Sequence, residues 1–370
     1  MFYIILAIIN SLRNKVMNAV HNASSIRRSF RIVLATALVL LPLTAMNDAL
    51  ACATCGCSLS SDGALGYSST TGWAISLDYN FINQNEYRSG SSTISPSQVA
   101  AVNGQEVENQ TINRYFTLGL SYSSSADWNF KLLVPYIDRS HSTYSNTETL
   151  PLTSDQISYA TASGLGDIKF ITSYQGLLPT HNLGVQVGVK LPTGTYGGQN
   201  TVTGAIVGNP VNFGPTGNAA GAPLDTSLQA GNGSTDIILG AYYYQPVSQN
   251  FDAFVNGQYQ RSVKQQLDQV NQDYRPGDTT TVSFGLRYEA NPKIVPQLQV
   301  NVTHKGADSG ALADPIDVEG VTAYLSPGVT VAVANNTRVY GFVQLPIYSY
   351  LSGYQLFPHY TASVGINHAF

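Results

Sequence analysis

The chain has 370 residues, of which 11% are charged, with 23 tyrosines, 33 glycines and a formal net charge of -4. A typical soluble protein carries about 25% charged residues. So few charges beside so many tyrosines fit a surface that partly meets something other than water. With no basic surplus, a nucleic-acid partner is not expected.

The N-terminus reads as a targeting segment. Arg27, Arg28 and Arg31 precede an apolar stretch, residues 32–43. That stretch is too short to cross a hydrocarbon core of ~30 Å as a helix. Ala49-Leu50-Ala51 has the small-x-small pattern of a cleavage site. Residues 1–51 are therefore expected to form a Sec-type signal peptide, with Met17 as an alternative start. The mature chain would begin at Cys52.

All three cysteines, Cys52, Cys55 and Cys57, lie in Cys52-Ala53-Thr54-Cys55-Gly56-Cys57. In an oxidising compartment the plain expectation is a Cys52–Cys55 disulfide with one thiol left over. The alternative is a thiolate site for a soft metal, copper(I) or zinc. Covalent haem attachment through C-x-x-C-H is excluded, because Gly56 stands where the histidine would be. The segment 52–72 is expected to hang in the periplasm or to enter the barrel as a plug.

Beyond it, no stretch approaches the 18 or so apolar residues of a transmembrane helix. In hydrocarbon the remaining solution is a closed barrel, which pairs every backbone N–H and C=O. Residues 73–81 alternate in the required way. Trp73, Ile75, Leu77, Tyr79 and Phe81 share one face; Ala74, Ser76, Asp78 and Asn80 share the other. That period of two marks a strand with two different faces. Similar segments follow at 111–123, 128–138, 167–175, 182–191, 235–244, 251–261, 279–288, 297–305, 321–332, 337–348 and 360–370. Their connections alternate in length: 82–110, 139–166, 192–234, 262–278 and 306–320 are the longer set, and 124–127, 176–181, 245–250, 289–296 and 333–336 the shorter. Outer-membrane barrels sort loops from turns in this way, with an even strand number and aromatics at both interfaces. A soluble sandwich has no reason to do so. The expected fold is all-β: a transmembrane antiparallel up-and-down β-barrel of twelve strands over 73–370, with long extracellular loops, short periplasmic turns and both termini periplasmic. The segment 337–348 is apolar on both faces, so its orientation stays open. Pro135, Pro327 and Pro346 each remove a ladder donor and are expected at bulges or strand ends.

Charged residues on the polar faces are expected in the lumen: Asp78, Lys131, Asp167, Lys169, Lys190, Asp252, Arg287, Glu289 and Lys305. Two readings stand side by side: a charge-lined solute pathway, or mutual pairing that fills a narrow lumen. Catalysis would need a nucleophile with an oriented base. No serine–histidine pattern is recognisable around His304, so neither an enzyme nor a cofactor is expected. The loop run Asp308, Asp314, Asp317, Glu319 lacks the glycine-centred twelve-residue calcium pattern and reads as a solvated acidic loop.

Two short motifs carry a resemblance. Gly164-Leu165-Gly166-Asp167-Ile168-Lys169 and Val189-Lys190-Leu191-Pro192-Thr193-Gly194 resemble pieces of the MetA-pathway of phenol degradation family of outer-membrane proteins. That family is distantly similar to the long-chain fatty acid transporters. Gln344-Leu345-Pro346-Ile347-Tyr348, and Gly353-Tyr354-Gln355-Leu356 through to Phe370, fit the same style. The cysteine cluster is not part of the family pattern. The resemblance implies an outer-membrane lipid environment and passive transport of small hydrophobic or aromatic solutes. The terminal residues Ile366, His368 and Phe370 match the signal read by the barrel-assembly machinery, which implies a folding partner. A redox- or metal-handling protein, with the barrel as anchor or conduit for the CxxCxC segment, is the alternative.

Overall fold

The computed structural model describes residues 71–102, 105–145 and 150–370. The expected signal peptide and the cysteine cluster lie outside them. In chain order the elements are β1 (Gly72–Gly90), β2 (Ser92–Ile94), α1 (Pro96–Ala100), β3 (Glu108–Ser123), β4 (Trp128–Thr143), β5 (Ser158–Leu165), β6 (Lys169–Tyr174), β7 (Leu183–Lys190), β8 (Gly197–Gln199), β9 (Ile206–Gly208), β10 (Ser234–Ser248), β11 (Phe251–Gln265), β12 (Thr279–Tyr288), β13 (Ile294–Lys305), β14 (Gly320–Ala334) and β15 (Thr337–Ala369).

One antiparallel sheet runs β15-β14-β13-β12-β11-β10-β7-β6-β4-β3-β1 and closes because β15 also pairs with β1. β15 supplies two staves. Residues 337–351 pair with β14 and residues 351–369 with β1. The reversal between them contains Gly353, whose φ of 52° glycine adopts without a Cβ penalty. β5 and β6 both pair with β4, so they form one stave broken at 166–168. The barrel thus has twelve staves. The expected closing contact is present, running from Ala74↔Ala369 to Phe81↔Ala362.

The alternation decides which face is which. Trp73, Leu77, Leu118, Leu132, Val187, Leu239, Leu286, Leu298 and Ile366 point outward and are exposed, while Ser76, Asn80, Asn113, Gln186, Gln299 and Ser363 are buried inside. An apolar exterior this extensive has no place in water, and lipid is the medium that suits it. Aromatic pairs gather at the short-turn end: Trp73–Tyr122 and Trp128–Tyr174 at 4.7 Å, and Phe251–Tyr288 at 5.0 Å. They form one interfacial girdle. A Leu118→Arg substitution, mid-stave on the outer face, is expected to cost about 2–4 kcal/mol. Equilibrium unfolding from lipid bilayers would measure it.

The stave at 337–351 turns Val343, Leu345 and Ile347 outward and buries Tyr340 and Phe342. A register shift between Ala323 and Tyr324 then leaves Ile347 and Tyr348 both exposed. This is a bulge, which re-aims side chains, and Pro346 sits beside it. Pro327 falls between Leu325↔Leu345 and Gly328↔Phe342, where the ladder to β15 is interrupted. Its missing donor therefore costs little there.

Candidate functional site in the barrel lumen

The connection 191–233 bends into the mouth of the barrel. On β5, Tyr159, Thr161 and Ser163 face out, while Ala160 and Ala162 face in and pack with Phe213, Leu224 and Leu228 of that connection. The inward guanidinium of Arg139 donates to the carbonyl of Gln229 at 3.3 Å and to Asn113 and Tyr115 on β3. The His141 ring lies 5.9 Å from that of Phe213. The loop is therefore anchored on the inner walls of β4 and β5, with Arg139 tied in turn to β3.

The two motifs that carry the family resemblance meet at the root of this loop. Leu191 N–H donates to the Ile168 carbonyl at 2.8 Å. The Thr193 hydroxyl donates to the Gly166 carbonyl and accepts from the Ile168 N–H, both at 2.9 Å. Gly194 N–H donates to Asp167 Oδ1 at 3.1 Å. Together these bonds satisfy the backbone where the β5/β6 stave breaks. A Cβ on Gly194 would stand 2.8 Å from Gly231 Cα, so only glycine permits the two ends of the loop to approach this closely.

Lys190 is the charged centre of the junction. Its Nζ lies 2.8 Å from Asp167 Oδ2 and 3.4 Å from Asp236 Oδ2. It also donates to Asn232 Oδ1 and Ser234 Oγ, at 2.5 and 3.0 Å. Lys169 stands opposite Lys190 across β6–β7, a like-charge pairing that destabilises a sheet unless compensated. Compensation comes through Gln260, which accepts from Lys169 and donates to Asp236. Two lysines and two carboxylates therefore balance.

Tyr340 Oη donates to Asp78 Oδ1. Lys131 lies opposite Ser121 and Ile171. Asp252 lies opposite Arg287, whose guanidinium pairs with Glu289 at 2.9 Å. Glu289 itself is one residue beyond β12, in the short turn. Lys305 pairs with Asp308 at 2.5 Å. Further inward pairs also run along the wall between neighbouring staves: Asn301–Ser326, Gln297–Thr330 and Asn80–Ser363. At the chain end, His368 meets the Phe370 ring at 4.8 Å and Thr337 Oγ1 at 2.8 Å. Ile366 faces outward two residues before it.

Sequence reading missed Asp236, Arg139 and the loop contacts. Asp236 and Arg139 continue the inward parity of their staves, so a strict count through Ile237 and past Asp138 would have found both. The acidic run 308–319 is solvated only in part: Asp314 and Glu319 are exposed, but Asp308 is 2% and Asp317 3% exposed. Asp308 accepts from Tyr274, Gly277 and Lys305. Glu106, Glu108, Asp225, Asp314 and Asp317 line one pocket at the mouth with Tyr354. These side chains come from three loops and the start of β3.

No protein family and no curated protein matches the chain. Among solved structures it is similar to an outer membrane channel from Pseudomonas putida F1, at 12% identity and a TM-score of 0.55, over 81% of this chain and 96% of that one. It also aligns with the CymD monoaromatic hydrocarbon channel, at 11% identity and a TM-score of 0.42, over 84% and 93% of the two chains. The β domain of the Bordetella autotransporter BrkA aligns at 11% identity and a TM-score of 0.42, over 81% and 100%. The first likeness is one of fold. With the closed, lipid-facing sheet it defines the class, a twelve-stranded transmembrane β-barrel.

Proposed function

We propose that the chain is an outer-membrane channel for small solutes of apolar or aromatic character, which pass through a narrow lumen under a folded loop cap. The observation that carries this reading is the connection 191–233 lodged in the mouth. Twelve staves enclose more space than side chains alone fill, yet less than an open porin. A segment folded inside such a lumen restricts it to small, loosely held solutes. The buried apolar cluster of Phe213, Leu224 and Leu228 against β5 fastens this segment across the mouth. The meeting of the 164–169 and 189–194 motifs at one junction supports the resemblance to the MetA-pathway of phenol degradation family. The cysteines have no part in this mechanism.

In this reading the long loops face the exterior, both chain ends face the periplasm, and the terminal Phe370 is presented to the barrel-assembly machinery. Uptake of small aromatics into proteoliposomes, beside planar-bilayer recordings, tests the transport claim. A barrel impermeable to every solute tried would sink it. Orientation is tested by single cysteines on intact cells. A Val202→Cys label is expected to react, because Val202 is 73% exposed at the long-loop end. An Asn250→Cys label, in the short turn, is expected to stay silent, and the reverse pattern would invert the topology.

A further inference from the structure

Asp317 is a buried carboxyl that neither the barrel wall nor the lumen pathway requires. It joins three pieces of the mouth. Its Oδ2 accepts from Gln105 Nε2, in the loop after β1, at 2.6 Å. Its Oδ1 accepts from the N–H of Tyr354, at the β15 reversal, at 2.7 Å. Asp317 itself lies in the loop 306–319. The neighbouring titratable groups are nearly all acidic. Glu106, which accepts from Thr143 at 2.6 Å, Glu108, Asp225 and Asp314 line the same pocket, and among the described residues no lysine, arginine or histidine does. Tyr87 of β1 is buried close by, and Lys305 of β13 is already engaged by Asp308. Glu108 Oε2 is sequestered and has no hydrogen-bond partner among the described residues. An ionised carboxylate left so would be costly.

We propose that Asp317 is a proton-operated clasp on these three segments, which meet the 191–233 cap at Asp225 and Leu228: neutral, it lets them pack together beside the other carboxyls, and its ionisation adds a charge to that acidic pocket, loosens the segments and opens the mouth. Burial pushes the Asp317 carboxyl up to about 8, with Asp314 and Glu106 adding repulsion, against the pull of the Tyr354 N–H and Gln105. Burial likewise raises Glu106. In the loosened cap Asp317 returns to the ordinary carboxyl range. The closed cap therefore holds an extra proton between about pH 4 and pH 8, and each such group changes the closed-to-open ratio by up to tenfold per pH unit. The sign follows: the cap is tightest at the acid end of that window, weakens through it, and changes no further on this account above it.

The flux consequence rests on the channel reading, but the clasp can be read without flux. Spin labels at Val102→Cys and Ala311→Cys, exposed positions on two of the joined loops, would be placed in the full chain with the native cysteines changed to serine. The distance distribution is expected to broaden as pH rises through the window, and solute uptake to rise with it. Asp317→Asn cannot ionise and retains an acceptor for the Tyr354 N–H. It is expected to keep the labels close and uptake low across the range, in a barrel with unchanged heat-modifiable gel mobility. Labels that do not respond to pH, or a variant with the parent's midpoint and slope, would overturn the clasp. Broadening without any flux supports the clasp and removes the channel reading instead.

Discussion

Replacing residues 197–229 by a short glycine linker is expected to convert a barrel of low, unsteady conductance into one with large, stable open steps. The geometry makes the deletion mild for the wall. Gly231 N–H already donates to the Thr195 carbonyl at 2.7 Å, so the two cut ends are neighbours. The junction of Asp167, Lys190, Thr193 and Gly194 lies outside the excised part and keeps the stave break sealed. What leaves is the apolar cluster of Phe213, Leu224 and Leu228 together with the Arg139–Gln229 tether. Side chains alone are not expected to take over the closure. The inward pairs Asn301–Ser326, Asn80–Ser363 and Gln297–Thr330 follow the wall between adjacent staves, and a twelve-stranded barrel is wider than the eight-stranded kind that side chains fill. Planar-bilayer recording of the two proteins decides it. Equal conductance would mean that the loop is not the restriction.

The wall was legible because lipid imposes a period of two, and the lipid-facing parts of most staves obey it. Legibility failed wherever the outer face stops meeting lipid. β1 continues to Gly90 rather than ending at Phe81, because Asn85 and Glu86 lie beyond the apolar stripe and carry no signal. β5 was hidden inside an expected loop. Its outward residues Thr161 and Ser163 are polar, and its inward ones, Ala160 and Ala162, are small and apolar, the reverse of the pattern sought. The orientation of 337–348 was undecidable because Tyr340 and Phe342 point into the lumen, where aromatics are as acceptable as amides. Asp167, Lys169 and Lys190 were readable as inward charges from parity alone. Their assembly around Asp236, and the inward fold of 191–233, depend on contacts between segments far apart in the chain. A Gly-rich connection has no periodicity to announce them.

Lys190→Met is expected to be among the most damaging single changes to the barrel, at a cost of about 3–5 kcal/mol. Lys190 is 3% exposed and stands between two aspartates that are themselves 9% and 2% exposed. Removing the ammonium leaves Asp167 and Asp236 facing each other's charge inside the wall, with hydrogen bonds but only the indirect help of Lys169 through Gln260. Breaking one partner of a buried ionic group is severe for this reason, whereas replacing the whole group by neutral residues of similar volume is often tolerated. The triple variant Lys190→Met, Asp167→Asn, Asp236→Asn is therefore expected to recover much of the lost stability. It should not recover all of it, because Lys169 then loses its balancing charge and Gly194 N–H keeps only an amide oxygen in place of the Asp167 carboxylate. Function should separate from stability here. The junction fixes the root of the loop, so the single variant is expected to show frequent brief openings at voltages where the parent is quiet. Denaturant unfolding in detergent and single-channel recording supply the two readouts. A single variant as stable as the parent, or no better a folder after the carboxylates are also neutralised, would show that the Lys190 group is not the electrostatic lock on the loop.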